Sequence, residues 1–109
     1  SWPARIKDKG TVRTQYGHLT DIAPTIYEAI GIAPPKVFEG VEQQPLDGAS
    51  LLPSFADPKA LSGHREQYYE MQGTRSFYRD GWLAGTSVTW QPWNLNNYDP
   101  LTLPWELYN

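Results

Sequence analysis

Prolines and glycines interrupt the middle of this chain about every five residues, which limits what it can fold into. Between residues 32 and 65 they are Pro34, Pro35, Gly40, Pro45, Gly48, Pro53, Pro58 and Gly63. Proline breaks helix interiors and central strands, so no long regular element fits here. An irregular segment of this length is uncommon inside a compact domain. We therefore expect it to lie across another surface, anchored by Val37, Phe38, Val41, Leu46, Leu51, Leu52 and Phe55.

The composition indicates a folded chain. Apolar residues make up 39% and aromatic residues 14% of the 109 residues, whereas disordered chains have few of either. The net charge is −3 and the basic residues are scattered singly, so no nucleic-acid partner is expected. No apolar stretch reaches the length of a membrane span. The absence of cysteine excludes disulfides and cysteine-based zinc sites.

One helix is predicted from Asp21 to Ile30. Thr20 and Asp21 are good capping residues, and Pro24 falls in the first turn, where a missing N–H is harmless. Ile22, Ile26, Ala29 and Ile30 form one apolar stripe, and Gly31 stands where helices end.

Three short strands are predicted after residue 65: Gln67–Met71, Arg75–Arg79 and Trp82–Thr86. Asp80-Gly81 between two such runs is a strong hairpin signal. A fourth run, Trp105–Tyr108, follows the loop 87–104. Trp82 and Trp105 are expected in the core of this sheet, while Trp90, Trp93 and Tyr98 are either core residues or a surface for aryl or sugar groups.

Candidate catalytic residues are few. His18 and Asp21 have a spacing that a metal could use, but the simpler interpretation is that His18 forms hydrogen bonds at the helix start. His64 lies in a polar run and is expected to be solvated. Glu66 and Glu70 share one face of a strand, and they could act as an acid–base pair only if buried. No phosphate-binding loop or nucleophile elbow occurs.

Several stretches, taken in order, resemble the sulfatase family. Residues 18–31 (HLTDIAPTIYEAIG) are similar to its "H-x-x-D-x-x-P-T … G" helix, and residues 1–13 to the "WP … G … R" stretch before it. Residues 40–51 resemble "G-x-x-Q-x-P-x-x-G-x-S-L" of bacterial arylsulfatases. Residues 67–82 are similar to "QYFEM … R … DGW", and residues 105–109 match "WELYN".

The resemblance implies the last part of an alkaline-phosphatase-like α/β fold, seen here as one helix and a small antiparallel sheet (α+β) with long loops. Residues 1–33 would end the large domain, residues 34–65 would connect, and residues 66–109 would form an incomplete carboxy-terminal subdomain. Both ends of the chain are expected to cut through larger elements. The sequence leaves the compartment undecided, with the bacterial periplasm and the cytoplasm as the two expected alternatives.

The chemistry implied by the resemblance is hydrolysis of a sulfate ester by a formylglycine beside a calcium ion. Both belong before residue 1 in the family pattern, so this chain is expected to supply no catalytic residue and no metal ligand. Ser1-Trp2-Pro3-Ala4-Arg5 formally fits the Ser/Cys-x-Pro-x-Arg site of formylglycine formation, but the residues that follow do not fit. Trp90 and Trp93 are the candidate contacts to an aryl sulfate or sulfated glycan.

Two other functions fit the same residues. One is a non-catalytic module that binds a glycan through exposed aromatic side chains. The other is a phosphodiesterase or phosphonate hydrolase of the same fold, which only the nucleophile segment can distinguish from a sulfatase.

Overall fold

A computed structural model describes residues 2–8, 10–87 and 99–109 of the chain. The chain divides into two compact units, Ser1–His64 and Arg65–Asn109. The first contains the helices and the second a four-stranded antiparallel sheet, so the α+β class predicted from the sequence is confirmed. Among the described residues, no helix has the length and apolar character needed to cross a membrane.

The predicted helix is present as α1, Ile22–Ile30, directly after a 3₁₀ turn at Leu19–Asp21. Gly31 ends it in the left-handed conformation (φ 70°), where its N–H bonds back to the last turn. This is the glycine termination expected from the sequence, because a side chain is strained at such a φ. At the other end, the predicted cap Asp21 makes no side-chain capping bond to α1, and the capping box belongs to the 3₁₀ turn before it.

The middle segment is less irregular than its prolines suggest. It holds a two-residue hairpin, β1 (Val37–Phe38) and β2 (Val41–Glu42), and a short helix α2 (Leu52–Ala56) with Pro53 in its first turn. Both elements are too short to show the periodicity by which sequence patterns are recognised. Of the expected anchors, Leu51, Leu52 and Phe55 are half-buried, while the others are exposed.

The second unit is an antiparallel meander in the order β3–β4–β5–β6. Its strands are Glu66–Met71, Thr74–Arg79, Trp82–Thr86 and Trp105–Tyr108, which confirms all four predicted runs. Two tight turns, Gln72-Gly73 and Asp80-Gly81, have positive φ at both residues. That geometry matches the strand twist in two-residue hairpins and explains why Asp-Gly predicted one.

Trp82 and Trp105 do not form the predicted core of this sheet. They are 48% and 52% exposed. A sheet face becomes a core only where a second layer covers it, and the described residues of this unit supply only the sheet and a 3₁₀ turn at Pro100–Thr102. Among all described residues, no apolar side chain is fully buried.

Candidate functional site

The first unit is organised around a buried carboxylate. Asp21, at the start of α1, is 0% exposed. A buried carboxylate is costly unless donors satisfy it, so its partners indicate what the surrounding residues are for.

Three N–H groups from separate parts of the chain donate to this carboxylate. The His18 backbone N–H donates to Oδ2 over 2.7 Å, and the Ala49 backbone N–H donates to Oδ1 over 2.9 Å. The third partner is the Nδ1 atom of the His64 ring, 2.6 Å from Oδ1. Asp21 therefore ties the turn before α1 to two segments that lie 28 and 43 residues further along the chain.

The prediction that His64 is solvated is wrong, because its side chain is only 8% exposed. The Ser62 hydroxyl lies 2.7 Å from the carbonyl oxygens of both Tyr16 and His64, and it accepts the His64 backbone N–H over 3.1 Å. This turn directs the imidazole inward toward Asp21. The polar neighbours of His64 in sequence gave no indication of this long-range contact.

Thr25 adds a second link between α1 and the segment 48–51. Its hydroxyl donates to the Asp21 carbonyl oxygen over 2.6 Å and accepts the Leu51 N–H over 2.8 Å. The backbone at Gly48 passes so close to the helix start that a Cβ atom there would lie 2.1 Å from the Thr20 carbonyl oxygen. Only glycine allows this approach.

The hydrogen bonds around Asp21 determine its charge. Burial raises the pKa of the Asp21 carboxyl, but hydrogen bonds from the His18 N–H, the His64 ring and the Ala49 N–H together lower it further. The resulting pKa lies below the usual range of aspartate, so the group is ionised at neutral pH. Its negative charge favours the His64 tautomer that carries a proton on Nδ1.

His18 occupies the capping position that the simpler interpretation gave it. Its Nδ1 atom accepts the Thr20 N–H over 3.4 Å and lies 3.0 Å from the Thr20 hydroxyl. Together with the bond from its backbone to Asp21 this forms a capping box. Within residues 2–8, 10–87 and 99–109, no group of three or more histidine or acidic side chains is arranged to hold a metal ion.

Chemically, the Asp21 carboxylate can fix the orientation of the His64 imidazole. A carboxylate that accepts the Nδ1 proton of an imidazole fixes the ring, as in acid–base catalysis. The Tyr16 and His18 rings lie 5.6 and 5.8 Å from the His64 ring, centroid to centroid. Asp21 is fully buried, and its bonds to Ala49 and His64 join three segments of the chain. We call Asp21, His64, Thr25 and the segment 48–51 the Asp21 clamp.

The two glutamates considered as an acid–base pair are exposed and used locally. The Glu66 Oε2 atom lies 3.7 Å from the Arg79 Nε atom on the neighbouring strand, and both side chains are largely exposed to solvent. Glu70 accepts the Gly73 N–H over 2.6 Å and so stabilises the turn after β3. Neither is buried, so the condition set for an acid–base pair is not met.

Exposed aromatic side chains share one face of the four-stranded sheet. The register places Tyr68 opposite Phe77, with Trp82 and Trp105 on the same side. Their exposed fractions are 51%, 36%, 48% and 52% in that order. The Arg75 guanidinium lies 5.4 Å from the Trp105 ring centroid, a cation–π distance.

The first unit also has an open groove of about 790 Å³ between α1 and the segment 32–48. Tyr27, Ile32, Leu46 and four prolines line it, and Glu28, Lys36 and Glu42 lie on its walls. The groove borders the Asp21 clamp at Gly48, which belongs to both.

The substrate contacts predicted from the sequence, Trp90 and Trp93, lie outside the described residues, as do Tyr98 and Ser1. Sequence reasoning missed His64, Gly48 and Ala49 as partners of Asp21. The two stretches that resemble the sulfatase family contain His18, Asp21, Thr25 and Gly48. The resemblance did not indicate that these residues lie close together in the fold.

A scan against protein-family models finds no family that matches this chain, and a search of curated proteins finds no significant match.

Proposed function

We propose that this chain is a carboxy-terminal part of an arylsulfatase, and that its residues support the fold and line the mouth of the cleft. One observation carries most of this proposal. Two sequence stretches that resemble sulfatase motifs, residues 18–31 and 40–51, meet in the Asp21 clamp. They resemble the family motifs on sequence alone, and their shared network supports treating them as parts of one framework.

The geometry favours a supporting role over a catalytic one. The polar groups of the Asp21 clamp satisfy one another: the Asp21 carboxylate accepts three N–H groups, and the Thr25 hydroxyl both donates and accepts. Such buried networks specify one packing of the chain. They give α1 a fixed position against the segment 48–51.

The apolar surface of α1 supports a larger fold around this part. Ile22, Ile26 and Ile30 lie on the predicted stripe, yet they are 50%, 53% and 59% exposed. A helix normally buries such a stripe against another element. In the proposed enzyme, the large α/β domain covers it.

The resemblance also implies calcium and formylglycine. The family pattern places both groups before residue 1, so in the proposed enzyme other parts of the polypeptide would hold them. When bound there, they would supply the nucleophile and stabilise charge on the sulfate oxygens. The part played by this chain would be contact with the aryl or sugar group, through Trp90 and Trp93.

The proposal is tested on the complete gene that encodes this chain. Its product is assayed with 4-nitrophenyl sulfate and, as the rival substrate, bis(4-nitrophenyl) phosphate, and peptide mass spectrometry identifies any formylglycine. We expect sulfate ester hydrolysis and a formylglycine encoded before Ser1. Phosphodiester hydrolysis by an unconverted Thr or Ser would instead assign the phosphodiesterase function.

The role of the two tryptophans is tested in the same product. Trp90→Ala together with Trp93→Ala should raise KM for aryl sulfates and leave kcat less affected, because they would bind substrate and transition state alike. Tyr108→Phe, at an exposed strand position, is the control. Unchanged KM on several substrates would remove these residues from the site.

The exposed aromatic face of the sheet favours one second candidate, a glycan-binding module. Stacking of sugar rings on Trp82 and Trp105 would use faces that are about half accessible. Calorimetric titration of the chain with neutral and sulfated oligosaccharides separates the candidates. Saturable binding that Trp82→Ala abolishes, with no hydrolysis in the complete product, would favour the module.

A further inference from the structure

The last strand of the four-stranded sheet has an outer edge that no described strand pairs with. The sheet order is β3–β4–β5–β6, so β3 and β6 form its two edges. All four residues of β6 are exposed, and Trp105, Leu107 and Tyr108 are 52%, 65% and 54% exposed. A free edge presents a row of backbone N–H and C=O groups that can bind another strand.

The turn between β4 and β5 determines which backbone groups of β5 point toward β6. Because Asp80-Gly81 is a two-residue hairpin loop, the residues on either side of it, Arg79 and Trp82, form a hydrogen-bonded pair. Every second residue of β5 from Trp82 onward then bonds to β4. The residues between them, Leu83 and Gly85, direct their N–H and C=O groups to β6.

The same alternation continues into β6. The partners of those two β5 residues are Tyr108 and Glu106, whose backbone groups are therefore used inside the sheet. Trp105 and Leu107 alternate with them, so their N–H and C=O groups lie on the outer edge. Two exposed apolar residues thus carry the free backbone groups of this edge.

The opposite edge of the sheet is better protected. By the same alternation from the turn Gln72-Gly73, Tyr68 of β3 directs its backbone groups outward. The Gln67 side-chain amide donates to the Tyr68 carbonyl oxygen over 2.8 Å, and β3 also carries two glutamates. β6 carries one charge, Glu106, with continuous pairing to β5 and with neither proline nor positive φ. Since charges, prolines and irregularities are what protect an edge, β6 is the more open of the two.

We propose that β6 pairs edge to edge with β6 of a second copy of this chain, which joins two four-stranded sheets into one. A dimer of this kind has a two-fold axis, and its two identical strands run antiparallel. The outward groups of Trp105 and Leu107 must then bond to the same groups of the second copy. Two registers meet this condition and overlap most of each strand. This inference does not depend on the proposed enzymatic function.

The side chains of β6 favour one of these two registers. In the first, Glu106 lies directly opposite Glu106 of the second copy, and like charges in such a position are destabilising. In the second, Leu107 lies opposite Leu107, and Glu106 lies opposite Tyr108. A tyrosine hydroxyl can donate to a carboxylate, as Tyr108 does to Glu106 within one copy. The second register therefore pairs apolar with apolar residues and a donor with an acceptor.

Sedimentation equilibrium of the complete polypeptide tests this pairing. One short strand from each copy makes a small interface, and small interfaces are weak. The average mass should therefore rise from that of one chain toward that of two as concentration increases. A monomer mass at every concentration would overturn the proposal.

Two proline variants locate the interface. Leu107→Pro removes the outward N–H of each copy and leaves the bonds to β5 in place, so the dissociation constant should rise about tenfold or more. Tyr68→Pro is the matched control, because it removes an outward N–H from the other edge of the sheet. Circular dichroism checks that both variants keep the sheet. An unchanged dissociation constant in Leu107→Pro, or equal weakening by both variants, would overturn the proposal.

Cysteine substitutions measure the register. In the second register the two Leu107 Cα atoms lie about 5.5 Å apart, which a disulfide can span. Residues 1–109 contain no cysteine, so Leu107→Cys adds a defined thiol. Mild oxidation should give a linked dimer, with the linkage identified by peptide mass spectrometry. Glu106→Cys is the control, since the two Glu106 residues face each other in the first register only. Linkage through Glu106→Cys but not through Leu107→Cys would contradict the proposed pairing.

Discussion

At the scale of single residues, the Thr25 hydroxyl links two parts of the chain that are 26 residues apart. Thr25→Val keeps the shape but leaves the Leu51 N–H and the Asp21 carbonyl without this partner. Both bonds are partly buried, so we expect a loss of about 1 kcal/mol in the free energy of unfolding, the lower end of the cost of an unsatisfied buried group. Urea unfolding of the complete polypeptide measures it. Thr25→Ser keeps the hydroxyl, and it should cost clearly less; equal losses in both variants would contradict the assignment.

Gly48 is a second position where one atom decides the packing. A Cβ atom there would lie 2.1 Å from the Thr20 carbonyl oxygen and 2.8 Å from the Asp21 nitrogen, both backbone atoms that cannot turn aside. Gly48→Ala should therefore lower the free energy of unfolding by about 1–3 kcal/mol or more, as overpacking does. At Gly17 the nearest atom is a flexible Leu51 methyl at 3.4 Å, so Gly17→Ala is the control. A thermal melt that ranks the two variants equally would show that the close approach is not rigid.

The sequence predicts only part of the Asp21 clamp. Asp21 and His18 are recognisable because capping residues act on N–H groups a few positions away. His64 lies 43 residues from Asp21 and was expected in solvent. A contact at that separation depends on how the proline-rich segment folds back, and local preferences do not determine this.

At the scale of elements, the tight turns of the sheet depend on backbone conformations that only a few residues adopt. Gly81 has φ 91° between β4 and β5, with nothing near a Cβ atom there. Gly81→Ala should cost about 1–2 kcal/mol through strain alone, without any clash. Gly85→Ala in β5 is the control, since its φ is ordinary and its contacts begin at 3.4 Å. Chemical denaturation followed by sheet circular dichroism compares them, and a more damaging Gly85→Ala would contradict the turn argument.

The elements with strong local signals were predictable, and the shortest ones were not. Helix α1 has an apolar stripe and a terminating glycine, while the four strands of the sheet are aromatic-rich runs bounded by turns. The β1–β2 hairpin has two residues in each strand and α2 has five residues in all, too few to show a period. The turn between them has positive φ at both Glu39 and Gly40, and only the glycine of this pair is a residue that commonly marks such a turn in a sequence.

At the scale of the whole molecule, the apolar side chains of the described residues remain partly or largely exposed to solvent. Among the described residues none is fully buried, and Leu19, Ile26 and Leu107 are 77%, 53% and 65% exposed. Burial of such side chains is the main favourable term in folding. The expected burial of Trp82 and Trp105 failed for this reason, because an apolar residue in a strand reveals a face but not the layer that covers it.

A substitution in the exposed apolar stripe of α1 should affect stability differently in the 109-residue chain and in the complete polypeptide. In the 109-residue chain alone, Ile26→Gln changes a side chain that is 53% exposed, so stability should move by no more than about 0.5 kcal/mol. In the complete polypeptide, where we propose that a large domain covers the stripe, it should cost about 2–5 kcal/mol, as large core truncations do. Glu28→Gln, elsewhere on the helix, should be nearly neutral in both. Calorimetric melts of the six proteins, wild type included, give the comparison. An equal and small effect of Ile26→Gln in both settings would mean that α1 meets no partner layer, and the chain would then be better explained as a free-standing module.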